Sequence, residues 1–104
     1  MELNVINKDD FTIIKFNMDK LLGTEAAEFQ NTVLNVLEKK VKSIVVDLST
    51  VHYITSWAIG MLVHAFTTAT NRNVKFVLSG VSARVHEILS KVKLDTIFTF
   101  SDIK

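Results

Sequence analysis

A chain of 104 residues makes one small domain, long enough for a single modest core and too short for two. Hydrophobic residues make up 48% of it and charged residues 22%, the balance of a folded globular domain rather than a disordered one. A net charge of +1 offers no field to draw nucleic acid or a membrane surface, and the lack of cysteine excludes disulfides and thiolate metal sites.

The opening MELNVINKDD has neither the basic start nor the apolar run of a secretory signal. Residues 2–7 alternate around Leu3, Val5 and Ile6, residues 7–10 (NKDD) signal a turn, and residues 11–16 read as a second strand, so the chain starts with a hairpin. The period then lengthens. Ala26, Phe29, Val33, Val36, Leu37 and Val41 recur every three or four residues, which predicts an amphipathic helix over 24–40 with Thr24 as its N-cap. SIVVDL (43–48) is a continuous apolar run, the pattern of a strand buried on both faces. A second helix is predicted over 56–70, with Ala58, Met61, Leu62, Ala65, Phe66 and Ala69 on one face and Ser56 capping its start. Its apolar stretch, residues 54–66, is too short to span a bilayer, so the expectation is a soluble cytoplasmic protein. VKFVL (74–78) is the next strand, Val81, Val85, Ile88, Leu89 and Val92 mark a third helix, and TIFTF (96–100) closes the chain as a short strand.

Alternating strands and helices predict a single α/β domain over residues 1–104: a mixed sheet of four to five strands with the helices packed mainly on one face. None of the three glycines falls in a phosphate-cradling motif, and the three histidines, His52, His64 and His86, have no metal-ligand spacing. No cofactor or metal is expected. Asp47 ends a strand at the carboxyl edge of the sheet, where α/β folds bind ligands, but a lone carboxylate there more often caps a loop, and no partner for acid–base chemistry accompanies it. The chain therefore does not read as an enzyme. Trp57 lies near the boundary of the apolar stripe, where an interface anchor and packing onto a neighbouring loop are equally reasonable. Gly60, inside a helix, costs about 1 kcal/mol relative to alanine, which predicts a close approach of helix backbone to sheet.

The stretch SIVVDLSTVHYITSWAIGMLV resembles the signature of the STAS domain of bacterial anti-sigma factor antagonists. There a buried strand ends in Asp-Leu-Ser-x-Val-x-(aromatic)-(Ile/Met) and leads into Asp-Ser-(Ser/Ala)-Gly-Leu-Gly at a helix start. Asp47, Leu48, Ser49, Val51, Tyr53, Ile54, Ser56, Ile59 and Gly60 fit, and KVKLDTIFTF is similar to the family's ending. The resemblance implies a binding module whose serine, matched by Ser56 with Thr55 as the alternative, is phosphorylated by a serine kinase anti-sigma factor and restored by a phosphatase. It implies a partner surface at Asp47, Thr55, Ser56, Trp57 and Asp19, with no direct binding of nucleic acid or membrane and a monomer or weak dimer. Thr55 replaces the family's acidic residue, Trp57 a small residue and Ala58 the first glycine; Leu22 stands at an acidic loop position, with Asp19 nearby. The family's C-terminal helix is expected to be missing or reduced to residues 102–104. Two other readings remain: a STAS scaffold that binds through Trp57 without phosphorylation, and a small-ligand carrier or enzyme using the sheet edge near Asp47.

Overall fold

The computed structural model describes residues 3–101; the segment expected to stand in for a C-terminal helix, 102–104, lies outside them. β1 (Leu3–Asn7) and β2 (Phe11–Phe16) form the expected antiparallel hairpin, with Leu3 opposite Phe16 and Asn7 opposite Thr12. The chain continues through β3 (Lys20–Leu21), α1 (Ala26–Leu37), β4 (Ser43–Asp47), β5 (Tyr53–Ile54), α2 (Ser56–Asn71), β6 (Lys75–Ser79), α3 (Ala83–Lys91) and β7 (Thr99–Ser101). Five strands form one mixed sheet in the order β1-β2-β4-β6-β7, in which every pair after the hairpin is parallel. No helix among the described residues is long and apolar enough to cross a membrane.

Strand periodicity decides which face is covered. Ile14 and Phe16, Ile44 and Val46, and Phe76 and Leu78 join Phe29, Val33, Leu62, Ala65, Val85 and Leu89 of the three helices in one buried cluster. One residue along each strand, Ile13, Val45 and Val77 point the other way and take no part in that cluster. The helices thus lie on one face, as the alternating pattern predicts. Two aromatic groups close the core. Phe16 and Phe29 meet at 5.1 Å between ring centres, and Phe66, Phe76 and Phe98 pack mutually at 5.6–6.2 Å.

Three local expectations are corrected. α1 starts at Ala26 rather than Thr24, with Glu25 in the cap position and no side-chain cap bond. Thr24 instead donates to the Glu25 carboxylate, whose other oxygen accepts the Gly23 amide, so neither side chain caps an amide of α1. The last strand is shorter than 96–100: the Ile97 and Phe98 amides turn back onto the Leu94 carbonyl to bury Phe98, leaving Thr99–Ser101 to pair with β6. Two short strands, β3 and β5, were not anticipated; they form a separate parallel pair, Lys20 beside Tyr53 and Leu21 beside Ile54.

α2 and α3 both end in a left-handed residue, Asn73 (φ 61°) and Lys93 (φ 61°). The following amides, Val74 and Leu94, reach back five residues to Ala69 and Leu89, the bonding of a Schellman end. Phe29 is fully buried and packs at a tilt on Phe16, so Phe29→Ala is expected to cost about 3–5 kcal/mol in urea unfolding, a large share of an ordinary domain's stability.

Candidate functional site

The start of α2 is built by Thr55. Its backbone is extended (φ −89°, ψ 168°), the conformation of a residue preceding a helix, and its hydroxyl accepts the Ala58 amide at 3.2 Å. The same oxygen donates to the Leu22 carbonyl at 2.7 Å, while the Thr55 amide donates to the Leu21 carbonyl at 3.1 Å. Thr55, not Ser56, therefore caps the helix. Ser56 is the first helical residue, is exposed, and its hydroxyl makes no hydrogen bond to another described residue. Of two adjacent hydroxyls, one is committed on both sides and the other is uncommitted.

Gly23 makes this joint possible. Its φ of 99° lies in the left-handed region, and a Cβ there would sit 2.8 Å from the Trp57 Cβ and 3.0 Å from the Ala58 nitrogen. With the Ala58 amide taken by the Thr55 hydroxyl and the Ile59 amide by the Thr55 carbonyl, the amides of Ser56 and Trp57 lack intrahelical partners. The first turn of α2 holds no acidic residue, so its positive dipole end faces outward without a resident anion.

Around Ser56 runs an apolar groove of about 650 Å³, lined by Leu22, Tyr53, Trp57, Ile59, Ile88 and Val92, with Lys91 at its edge. Trp57 is 78% exposed, which settles its orientation: it projects into solvent rather than packing on a loop. Leu22, Tyr53 and Val92 are exposed as well, so four large apolar side chains of the described surface share one hollow. Beyond Tyr53 and Leu22 lies a second hollow holding Asp19, Lys20, His52 and Arg84. There the Asp19 carboxylate meets His52 Nδ1 at 2.9 Å, and the Arg84 guanidinium lies 5.9 Å from the Tyr53 ring centre.

Of the residues singled out from sequence, Thr55, Ser56 and Trp57 lie together in this groove, and Asp19 borders it across Tyr53. Asp47 lines neither hollow; its Oδ1 accepts the Ser49 amide at 2.8 Å and fastens the turn after β4. The hollow at the carboxyl edge of β6 and β7, lined by Leu78, Val81, Ala83, His86, Phe100 and Ser101, does not include Asp47 either. Gly60 departs from expectation. It is exposed, and a Cβ built there meets nothing within 4 Å, so no approach to the sheet requires it. Leu22, Ile88 and Val92 escaped sequence reading as site residues, because Leu22 follows β3 while Ile88 and Val92 lie at the end of α3, both far from Ser56 along the chain.

The chain thus presents a layer of helices on one face of a mainly parallel sheet, with an uncommitted serine at the start of its second helix. The chain matches the STAS domain family over residues 2–104 and belongs to it. It is similar to the crystal structure of a proposed anti-sigma factor antagonist from Thermotoga maritima (25% identity, TM-score 0.79, covering 97% of this chain and 86% of that one). It also resembles an anti-sigma factor antagonist (STAS) domain protein from Planctomyces limnophilus (23%, 0.82, 98% and 90%). The antagonist SpoIIAA in its unphosphorylated form shares the fold at 10% identity (TM-score 0.80, 98% and 88%).

Two substitutions test the architecture of the joint. Thr55→Ala removes the cap and the tie to Leu22 and is expected to cost about 1–2 kcal/mol in urea unfolding. Gly60→Ala fills open space on an exposed helical surface and is expected to add up to about 1 kcal/mol in the same measurement.

Proposed function

We propose that this STAS domain acts as an anti-sigma factor antagonist, binding a serine kinase anti-sigma factor through the groove around Ser56 and leaving it when Ser56 is phosphorylated. The observation that carries this reading is the division of labour between neighbouring hydroxyls: Thr55 is bonded to Leu22 and Ala58, whereas Ser56 is exposed and uncommitted. A kinase needs a hydroxyl that can swing into line with the γ-phosphate of ATP. The Ser56 oxygen would form the new P–O bond as the bond to ADP breaks, its proton passing to a base supplied by the kinase. Thr55 would first have to give up both the cap and the Leu22 carbonyl.

The modified domain would remain folded. A phosphate brings about −1.5 to −2 charges to the start of α2, where unpartnered amides and the helix dipole favour an anion. The same charge would disrupt a complex, because it would be buried against a partner seated on Leu22, Tyr53, Trp57 and Val92. A phosphatase would restore the binding form.

The exposure of Trp57 favours a second reading, in which the domain holds a partner through this side chain and is not phosphorylated. One pair of experiments separates them. Incubation with the cognate kinase and ATP, followed by mass-spectrometric site mapping, should place one phosphate on Ser56 and none on the Ser56→Ala variant; phosphate on Thr55, or none at all, would end the switching proposal. Trp57→Ala should weaken partner binding by about 2 kcal/mol or more, roughly thirtyfold, in calorimetric titration, and a value unchanged from the parent would remove Trp57 as an anchor.

A further inference from the structure

We propose that the groove around Ser56 receives an acidic amphipathic helix of its protein partner, which seats apolar side chains in the hollow and sets carboxylates against Arg84 and Lys91 of α3. Granted that the groove is the partner surface, as proposed above, its charge selects the partner. α3 supplies one wall. Arg84, Ile88 and Lys91 follow one another at spacings of four and three residues, so they share a face of the helix, with the apolar residue between the two cations. Ile88 and Lys91 line the hollow that holds Ser56 and Trp57, and Arg84 lines the adjoining one. Leu22 and Tyr53 line both, which makes the two hollows one continuous surface.

The charge on this surface is one-sided. Lys20, Arg84 and Lys91 line it, all exposed, against a single carboxylate among the described lining residues, that of Asp19. That carboxylate is already engaged, with His52 Nδ1 at 2.9 Å. Glu87 lines neither hollow and approaches the Lys91 ammonium only to 3.8 Å. Both side chains of that pair are largely in water, which screens it and leaves the ammonium free to meet another carboxylate. The whole chain carries a net charge of only +1, so the excess is local to this surface. Complementarity then asks for carboxylates around an apolar centre. A helix laid along α3 repeats its spacing: acidic residues seven positions apart stand about 10.5 Å from each other, as Arg84 and Lys91 do, with the residues three and four positions in between them. Side chains set around a hollow receive inserted side chains, whereas a flat bilayer would meet only the rim. A phosphate on Ser56 would share the groove with Lys91 and compete for it with the partner's carboxylates.

Trp57 makes the test direct. It is the chain's sole tryptophan and is 78% exposed, so its emission shifts to the blue when a ligand covers the groove. Helical peptides of about 16 residues on an alanine background would carry leucine at two central positions of one face. Around the leucines, seven positions apart, stand two Glu, two Gln or two Lys. Titrated to about 1 mM, the Glu peptide should bind about tenfold more tightly than the Gln peptide, the sum expected of two partly exposed ion pairs, and the Lys peptide more weakly than either. Raising the salt from about 0.05 to about 0.5 M should shrink the Glu–Gln difference to about threefold or less. Arg84→Gln with Lys91→Gln should erase the difference, and Arg84→Glu with Lys91→Glu should invert the order, with far-UV circular dichroism unchanged. Four results would each overturn the proposal: no binding by any peptide, equal binding by all three, an order unaltered by these variants, or a Trp57 shift given by phosphatidylglycerol vesicles and not by the Glu peptide. Phosphate mapping on Ser56 is independent of these titrations. An acidic preference without phosphorylation removes the switch alone, and phosphorylation without the preference removes the acidic helix alone.

Discussion

The double engagement of the Thr55 hydroxyl is the joint on which the site depends. One oxygen accepts the first helical amide it can reach and donates to the carbonyl of Leu22, thirty-three residues earlier. The orientation of α2, the position of Leu22 and the exposure of Ser56 are thereby set by one group. Gly23 completes the contact by letting backbone press against the base of Trp57, a distance no side-chain-bearing residue could match. Further bonds sew the same two segments together: the Thr50 hydroxyl donates to the Phe16 carbonyl at 2.7 Å, and the His52 amide to the Asp19 carbonyl at 2.7 Å. The loop carrying the signature stretch is therefore held as firmly as the strands it connects.

Most of the fold was legible because burial imposes a period. The continuous run in SIVVDL, the three- and four-residue spacing from Ala26 to Leu37, and the stripe from Ala58 to Ala69 each predict an element that the structure contains. The site was legible as a place but not as an arrangement. Thr55 and Ser56 are adjacent hydroxyl residues, each able to cap a helix, and only the extended backbone at 55 decides between them. Trp57 could not be oriented from its position on the helical wheel, because its neighbours across the groove come from segments with no shared pattern. β3 and β5, two residues each, are too short to leave an alternating signal, yet they bring Leu22 and Tyr53 to the same spot. The start of α1 makes the same point on a smaller scale: Thr24 is a residue type that caps helices, yet its hydroxyl bonds to the Glu25 carboxylate and the helix begins without a side-chain cap.

The two faces of the sheet serve different ends in this scheme. The helix side carries nearly all of the core and, at its rim, the groove that a partner would fill. On the bare side Lys15 stands beside Asp47, and Val45 and Val77 are already buried.

Gly60 sits one helical turn beyond Ser56, exposed, with open space where a Cβ would stand. The chain contains no cysteine. A thiol placed at that position would be the sole reactive sulfur in the protein, exposed and carried by a rigid helix. A spin label or fluorophore attached there would lie over the first turn of α2, next to Ser56 and Trp57, and would report directly whatever comes to rest on that surface.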